Sequence, residues 1–132
     1  MLSEQELIRL EQLGSTLFIL AFSALIVAGE IGLKEIEEEE SGESSGEMGL
    51  TSDEVVVVSA ELRVLGAFLL GIAAAGRLSN LENTAEGREN PPKISNYRTI
   101  TAGEWISTFG DYLLLIGTLR QASLGITPTV IQ

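Results

Sequence analysis

The hydrophobic pattern is made of long uncharged runs with charges pushed to their ends. No charge falls between Leu13 and Gly29, and Leu17, Phe18, Ile19, Leu20, Phe22, Leu25, Ile26 and Val27 would cover most of a helix's circumference. A second uncharged run covers residues 64–76, or 55–76 if Glu61 and Arg63 are tolerated, and a third is interrupted by Asp111. Ahead of each run a hydroxyl residue stands three positions before a glutamate: Ser3 and Glu6, Thr51 and Glu54, Thr101 and Glu104. This is the capping-box spacing, in which the hydroxyl and the carboxylate each bond an unpaired amide of the first helical turn. The pattern predicts helices over about 3–39, 52–83 and 102–125. The valines at 55–58 favour strand but show no alternation, so they are read as helix.

Between the helices, residues 40–50 are acidic and then rich in Ser and Gly, a composition that favours a solvated loop. Gly87, Asn90, Pro91 and Pro92 predict an extended connection over 85–100. The tail, with Pro128, Val130 and Ile131, is expected to fray or to lie along the helices. The expectation is an all-α fold in one domain over 1–132. It is a three-helix antiparallel bundle with two long helices forming a hairpin and a shorter third, oligomeric or membrane-embedded.

The three runs share a phrase that begins at a glycine: LGSTLFILA, LGAFLLGIA and FGDYLLLIG. Gly14, Gly66 and Gly110 are followed seven residues later by Ala21, Ala73 and Gly117. An interior glycine costs a helix about 1 kcal/mol against alanine, so close helix packing is the expected return. Rows of small residues four apart, Ala24, Ala28 and Gly32, then Ala67, Gly71 and Ala75, mark further packing faces.

Composition narrows the function. The net charge is −11 with eight Lys and Arg, and no basic face gathers them, which argues against nucleic acid. With no Cys and no His, disulfides, thiolate nucleophiles and Ser-His-Asp triads are excluded. There is no glycine-rich phosphate loop. No cofactor or small-molecule substrate is identified, and an enzyme is not expected. Nor is a cleaved secretion signal, because acidic residues and no basic region precede the first apolar run.

A helix apolar all round needs more cover than two neighbours supply, so lipid or other subunits must provide it. Leu13 to Leu33 contains one charge, Glu30, and is long enough for a hydrocarbon core of about 30 Å. Arg9, Arg77, Arg88, Lys93 and Arg98 then set the N-terminus and second connection in the cytoplasm and the acidic loop outside. A hairpin turning near residue 46 would bring Glu30 level with Arg63, Lys34 close to Glu61 and Arg9 level with Glu82, and a similar estimate brings Arg77 near Asp111. Glu30, Arg63, Arg77 and Asp111 are therefore the candidate buried ion pairs, bracketing a dry zone of roughly 20–25 Å at 1.5 Å per residue.

Weaker candidates have plainer explanations. Glu37 to Glu40 with Glu43 and Glu47 lack the spacing of a calcium loop and read as a solvated charge run. Ser44 with Glu47 has the form of an acidic phosphorylation site. Trp105 and Tyr112 suit an interfacial anchor or a bundle core equally. Glu30, Glu61 and Asp111 could act as a proton or ion relay, with structural pairing as the commoner role for such groups.

The phrases LGSTLFILAFSALIVAG, LGAFLLGIAAAG and FGDYLLLIGTL resemble the glycine-punctuated helical repeat of small repetitive proteins from spore-forming Gram-positive bacteria. The resemblance covers roughly half the chain and brings no established activity with it. Three functions follow from the residues. The first is a non-enzymatic membrane or membrane-associated helical protein that self-associates through its Gly/Ala faces. The second is a soluble cytoplasmic all-α assembly, dimer or filament. The third is an ion- or pore-forming element, holin-like or accessory to a transporter.

Overall fold

The computed structural model describes residues 1–42 and 49–125, and every regular element among them is helical. Helix α1 is Glu4–Ser41, α2 is Ser52–Asn83, α3 is the single turn Ala85–Arg88, and α4 is Pro91–Gly125. The loop expected over 40–50 lies partly outside the described residues, with Glu43, Ser44 and Glu47, as does the tail with Pro128, Val130 and Ile131.

Two of the three capping boxes form. Ser3 N–H donates to Glu6 Oε2 at 2.7 Å while Glu6 N–H donates to Ser3 Oγ at 3.2 Å. Thr51 and Glu54 repeat this at 3.0 and 3.2 Å. At the other end of α1, Gly42 adopts φ +69°, the left-handed conformation that glycine takes without steric penalty at a helix C-terminus.

The expected third box is absent, and the third long helix is not short. It begins ten residues before Thr101, whose hydroxyl instead donates to the Tyr97 carbonyl at 2.7 Å inside α4. Asn90 is the cap: its side-chain oxygen accepts from Lys93 N–H at 3.3 Å, and its carbonyl from Ile94 N–H at 3.3 Å. Pro91 and Pro92 then occupy the first helical positions, where a missing N–H breaks no bond. The prolines start a helix here and do not interrupt one. The expected extended connection is reduced to α3, whose Gly87 is buried so closely that a Cβ there would collide with the Leu81 carbonyl.

α2 lies between the other two long helices, packing on α1 along one face and on α4 along another. Gly14 lies against Gly66, Ala21 against Ser59 and Ala28 against Ser52, so residues whose numbers sum to about 80 are level. Against α4, Arg63 meets Asp111 and Gly71 meets Trp105, giving a sum near 175.

Both registers differ from the hairpin expected with its turn near residue 46. α1 runs on for 13 residues past the level of Ser52, about 20 Å at 1.5 Å per residue. Gly49, Leu50 and Thr51 lie beside this overhang, near Ile31, Lys34, Glu35 and Glu38, and Ser52 N–H donates to Glu35 Oε1 at 2.9 Å. The overhang moves every cross-helix pairing by about three helical turns from the expected one.

Candidate functional site

The contact of α1 with α2 is built from small residues at a strict seven-residue spacing. Leu7, Gly14, Ala21 and Ala28 are the buried residues of α1. Level with them on α2 are Ala73, Gly66, Ser59 and Ser52. A heptad repeat keeps one seam facing its partner, as in a left-handed coiled coil. The backbones come very close: a Cβ at Gly14 would lie 2.9 Å from the Gly66 carbonyl oxygen, and one at Gly66 the same distance from that of Gly14. Only glycine fits this crossing. Ser59 Oγ donates to the Ala21 carbonyl at 2.8 Å, and Ser52 Oγ to the Ala28 carbonyl at 2.9 Å. The role of these two serines was not evident from their polarity. Their seven-residue spacing to Gly66 and Ala73 is the signal that identifies them.

The second face of α2 carries Ala60, Ala67, Gly71 and Ala74, all buried, toward α4. A Cβ on Gly71 would be 3.3 Å from the Trp105 ring, which also meets Phe68 edge-on at a centroid distance of 5.8 Å. Of the other predicted packing positions, Ala24 and Ala75 are half-buried on these faces. Gly110 and Gly117 are exposed and face no other helix among the described residues. With Gly103 they form a seven-residue row on α4 where an added Cβ would meet nothing within 4 Å. The residue that reaches α2 is the neighbour, Asp111.

Charge is arranged in layers, with partners other than those expected. Arg63 Nη2 contacts Asp111 Oδ1 at 2.9 Å, and the Arg63 guanidinium sits 5.5 Å from the Phe22 ring centroid. Asp111 is only 5% exposed. Arg77 holds two carboxylates of α1, Glu4 at 3.1 Å and Glu11. Glu30 is exposed and forms no ion pair among the described residues. The proposed Glu30–Arg63 and Arg77–Asp111 layers thus do not exist, because the register differs. Glu82 pairs with Arg98 at 3.1 Å, and not with Arg9.

With the observed register, the uncharged zone on α1 lies between Glu11 and Glu30. Its 18 residues correspond to about 27 Å. The Arg63–Asp111 pair lies inside this slab, and the Arg77 cluster lies at one end.

The surface of the slab is apolar apart from Glu61 and, toward the Glu30 end, Glu54 and Arg120, which the same registers place near the levels of Ile26 and Leu25 of α1. Ile26 and Ile106 are each 72% exposed, with Ile19, Phe22, Val27, Phe109, Leu113 and Leu119 also outward, while Ala21, Ala67 and Ala73 are fully enclosed. Small residues are inside and large apolar ones outside, the reverse of a water-soluble core. α1 and α2 are both long and apolar enough to cross a membrane, and only 11% and 33% of their most apolar windows are buried. Core helices of a soluble monomer would be mostly covered. Four hydroxyls in the slab bond carbonyls of their own helix: Thr16 to Gln12, Ser23 to Ile19, Thr108 to Glu104 and Thr118 to Leu115, at 2.7–3.0 Å. These four require no water.

No group of three or more carboxylates among the described residues could hold a metal ion. Of the relay candidates, Asp111 is buried with Oδ1 bound to Arg63, and Glu30 and Glu61 are exposed. No family model, no curated protein and no solved structure matches the chain.

Proposed function

We propose that the chain is a non-enzymatic integral membrane protein that self-associates, with α1 and α2 as a closely packed hairpin and α4 completing the unit. One observation carries the reading: the bundle turns its large apolar residues outward and packs inside through Gly, Ala and Ser. The uncharged stretch of α1, about 27 Å, is close to a hydrocarbon core of about 30 Å. The distribution of cations supports an orientation. Arg9, Arg77, Arg88, Lys93 and Arg98 gather at the end of the bundle that holds the N-terminus and α3, while Lys34 and Arg120 belong to the other. The N-terminus and α3 then face the cytoplasm and the acidic overhang of α1 faces outside.

Self-association is assigned to the Gly103, Gly110 and Gly117 row, a seven-residue small-residue row where an added Cβ would meet nothing among the described residues. The row Gly14, Ala21 and Ala28 of α1 and the row Ser52, Ser59, Gly66 and Ala73 of α2 pack on each other.

A soluble assembly is the second reading, and Glu61 favours it. This carboxylate is exposed in the same outward row of α2 as Val58, Leu65 and Phe68, at slab height and without an ion pair among the described residues. In lipid such a group must be protonated or snorkel. Against another subunit it can find a donor.

Fractionation separates the two. The membrane protein remains with the membrane pellet after an alkaline wash and is released by detergent as particles of defined mass. Recovery in a high-speed supernatant without detergent would overturn the membrane reading.

A further inference from the structure

At the end of the bundle where α1 begins, α2 ends and α4 begins, a cavity of about 250 Å³ lies among Glu4, Arg77, Asn80, Thr84, Lys93 and Tyr97. This is below the roughly 300–1,000 Å³ of pockets for drug-sized ligands and suits a smaller polar group.

The polar groups of its walls are unequally used. Arg77 is occupied by Glu4 and Glu11, and Thr84 Oγ1 caps α3 by accepting from Gly87 N–H at 3.2 Å. Asn80 Nδ2 donates to the Leu2 carbonyl at 3.0 Å, which fixes the amide orientation and leaves its Oδ1 buried with no donor. Glu4 bonds Arg77 through Oε1 only, so Oε2 is free to accept. On the α4 wall, one turn apart, the Lys93 ammonium and the Tyr97 hydroxyl have no partner among the described residues.

An unused acceptor, Glu4 Oε2, thus stands on the α1–α2 side and unused donors on the α4 side, while Asn80 Oδ1 is enclosed and out of reach of the cavity. A simple anion satisfies only the donors and a simple cation only the acceptor. We propose that the cavity binds a zwitterionic phosphoethanolamine group, its phosphate toward Lys93 and Tyr97 and its primary ammonium toward Glu4 Oε2. The lipid form of this ligand rests on the membrane reading. In that form the acyl chains leave along the exposed side chains of Ile8 and Ile100, each one turn from the cavity on the slab side.

The test titrates the purified full chain, in detergent or buffer as its solubility requires, with glycerophosphoethanolamine, glycerophosphocholine and inorganic phosphate. Calorimetry should show the ethanolamine compound binding about tenfold more tightly than the choline compound, whose quaternary ammonium cannot donate a hydrogen bond. Lys93→Ala should weaken it about tenfold and Tyr97→Phe by a smaller factor. Phosphate binding as tightly as glycerophosphoethanolamine would mean a plain anion site and overturn the proposal. So would absence of ethanolamine binding.

A second arm compares melting in nanodiscs of phosphatidylcholine with and without phosphatidylethanolamine, where the ethanolamine lipid should raise the melting temperature and Lys93→Ala should remove the increase. Binding of the free compound with no lipid effect would assign the site to a soluble phosphoester. Binding of the free compound by a protein that refuses nanodiscs would overturn the membrane reading and leave the site standing. A protein that enters nanodiscs but binds no ethanolamine compound would do the opposite.

Discussion

The two faces of α2 solve the same packing problem in different ways. Toward α1, small residues recur every seven positions, the backbones nearly touch at Gly14 and Gly66, and the polar contacts are two serine hydroxyls on carbonyls. Toward α4, alanines and Gly71 face a Trp105 ring, and register is fixed by one buried ion pair, Arg63 with Asp111. The first interface depends on shape and tolerates no added volume. The second depends on charge, and it leaves the small-residue row of α4 turned away from the chain.

The contrast can be broken most severely at the ion pair. Asp111→Ala strands the Arg63 guanidinium beside Phe22 and should destabilise the protein by about 3–5 kcal/mol, measured by denaturation in detergent or buffer. The double variant Arg63→Met with Asp111→Leu should recover most of that loss, because no charge is then left unpaired. A double variant as unstable as the single one would remove the charge-based account of this interface.

Next in size is the crossing of α1 and α2. Gly66→Leu must push the helices apart and should cost about 3 kcal/mol. Gly110→Ala at the equivalent repeat position should instead stabilise the helix by up to about 1 kcal/mol, since its Cβ meets nothing. Equal effects at the two glycines would erase the difference between the faces. Gly110→Leu should leave the fold intact and shift the particle to smaller mass by size-exclusion chromatography with light scattering.

A smaller effect is expected at Ser59. Removing its 2.8 Å bond to the Ala21 carbonyl by Ser59→Ala should cost about 1 kcal/mol in the same denaturation assay.

The smallest effect is electrostatic and local. The Glu6 carboxyl is held below its ordinary value chiefly by the Ser3 backbone N–H and then by the Ser3 hydroxyl. A group whose folded pKa is depressed contributes stability above its unfolded pKa, here 4.5, and loses it as pH falls through the lower folded value. Amide exchange in the first turn of α1 should therefore show a loss of protection relative to mid-helix in that acid range. Glu6→Gln should abolish the pH dependence of that difference.

What the sequence made legible follows from range. The caps at Ser3 and Thr51 are decided within four residues. The seven-residue recurrence of Gly14, Ala21, Gly66 and Ala73 likewise survives as a contact seam. Thr101 misled because an equally local signal, Asn90 before Pro91, starts the helix earlier, and a capping box is then just a threonine within a helix. Register was not legible. It depends on how far α1 overhangs α2, which hydropathy does not encode, so the charge partners were assigned three turns away from their true ones. Ser59 was missed because hydroxyl polarity conceals a small residue's place in a packing row.

The central claim is that the outward apolar residues of the slab meet lipid. The chain has no cysteine, so single-cysteine spin labels can be placed without background. Labels at Ile26, Ile106 and Leu113 in protein reconstituted into vesicles should collide frequently with oxygen and rarely with a water-soluble nickel chelate, while a label at the exposed Glu39 shows the reverse. Nickel accessibility at Ile26 and Ile106 equal to that at Glu39 would contradict it.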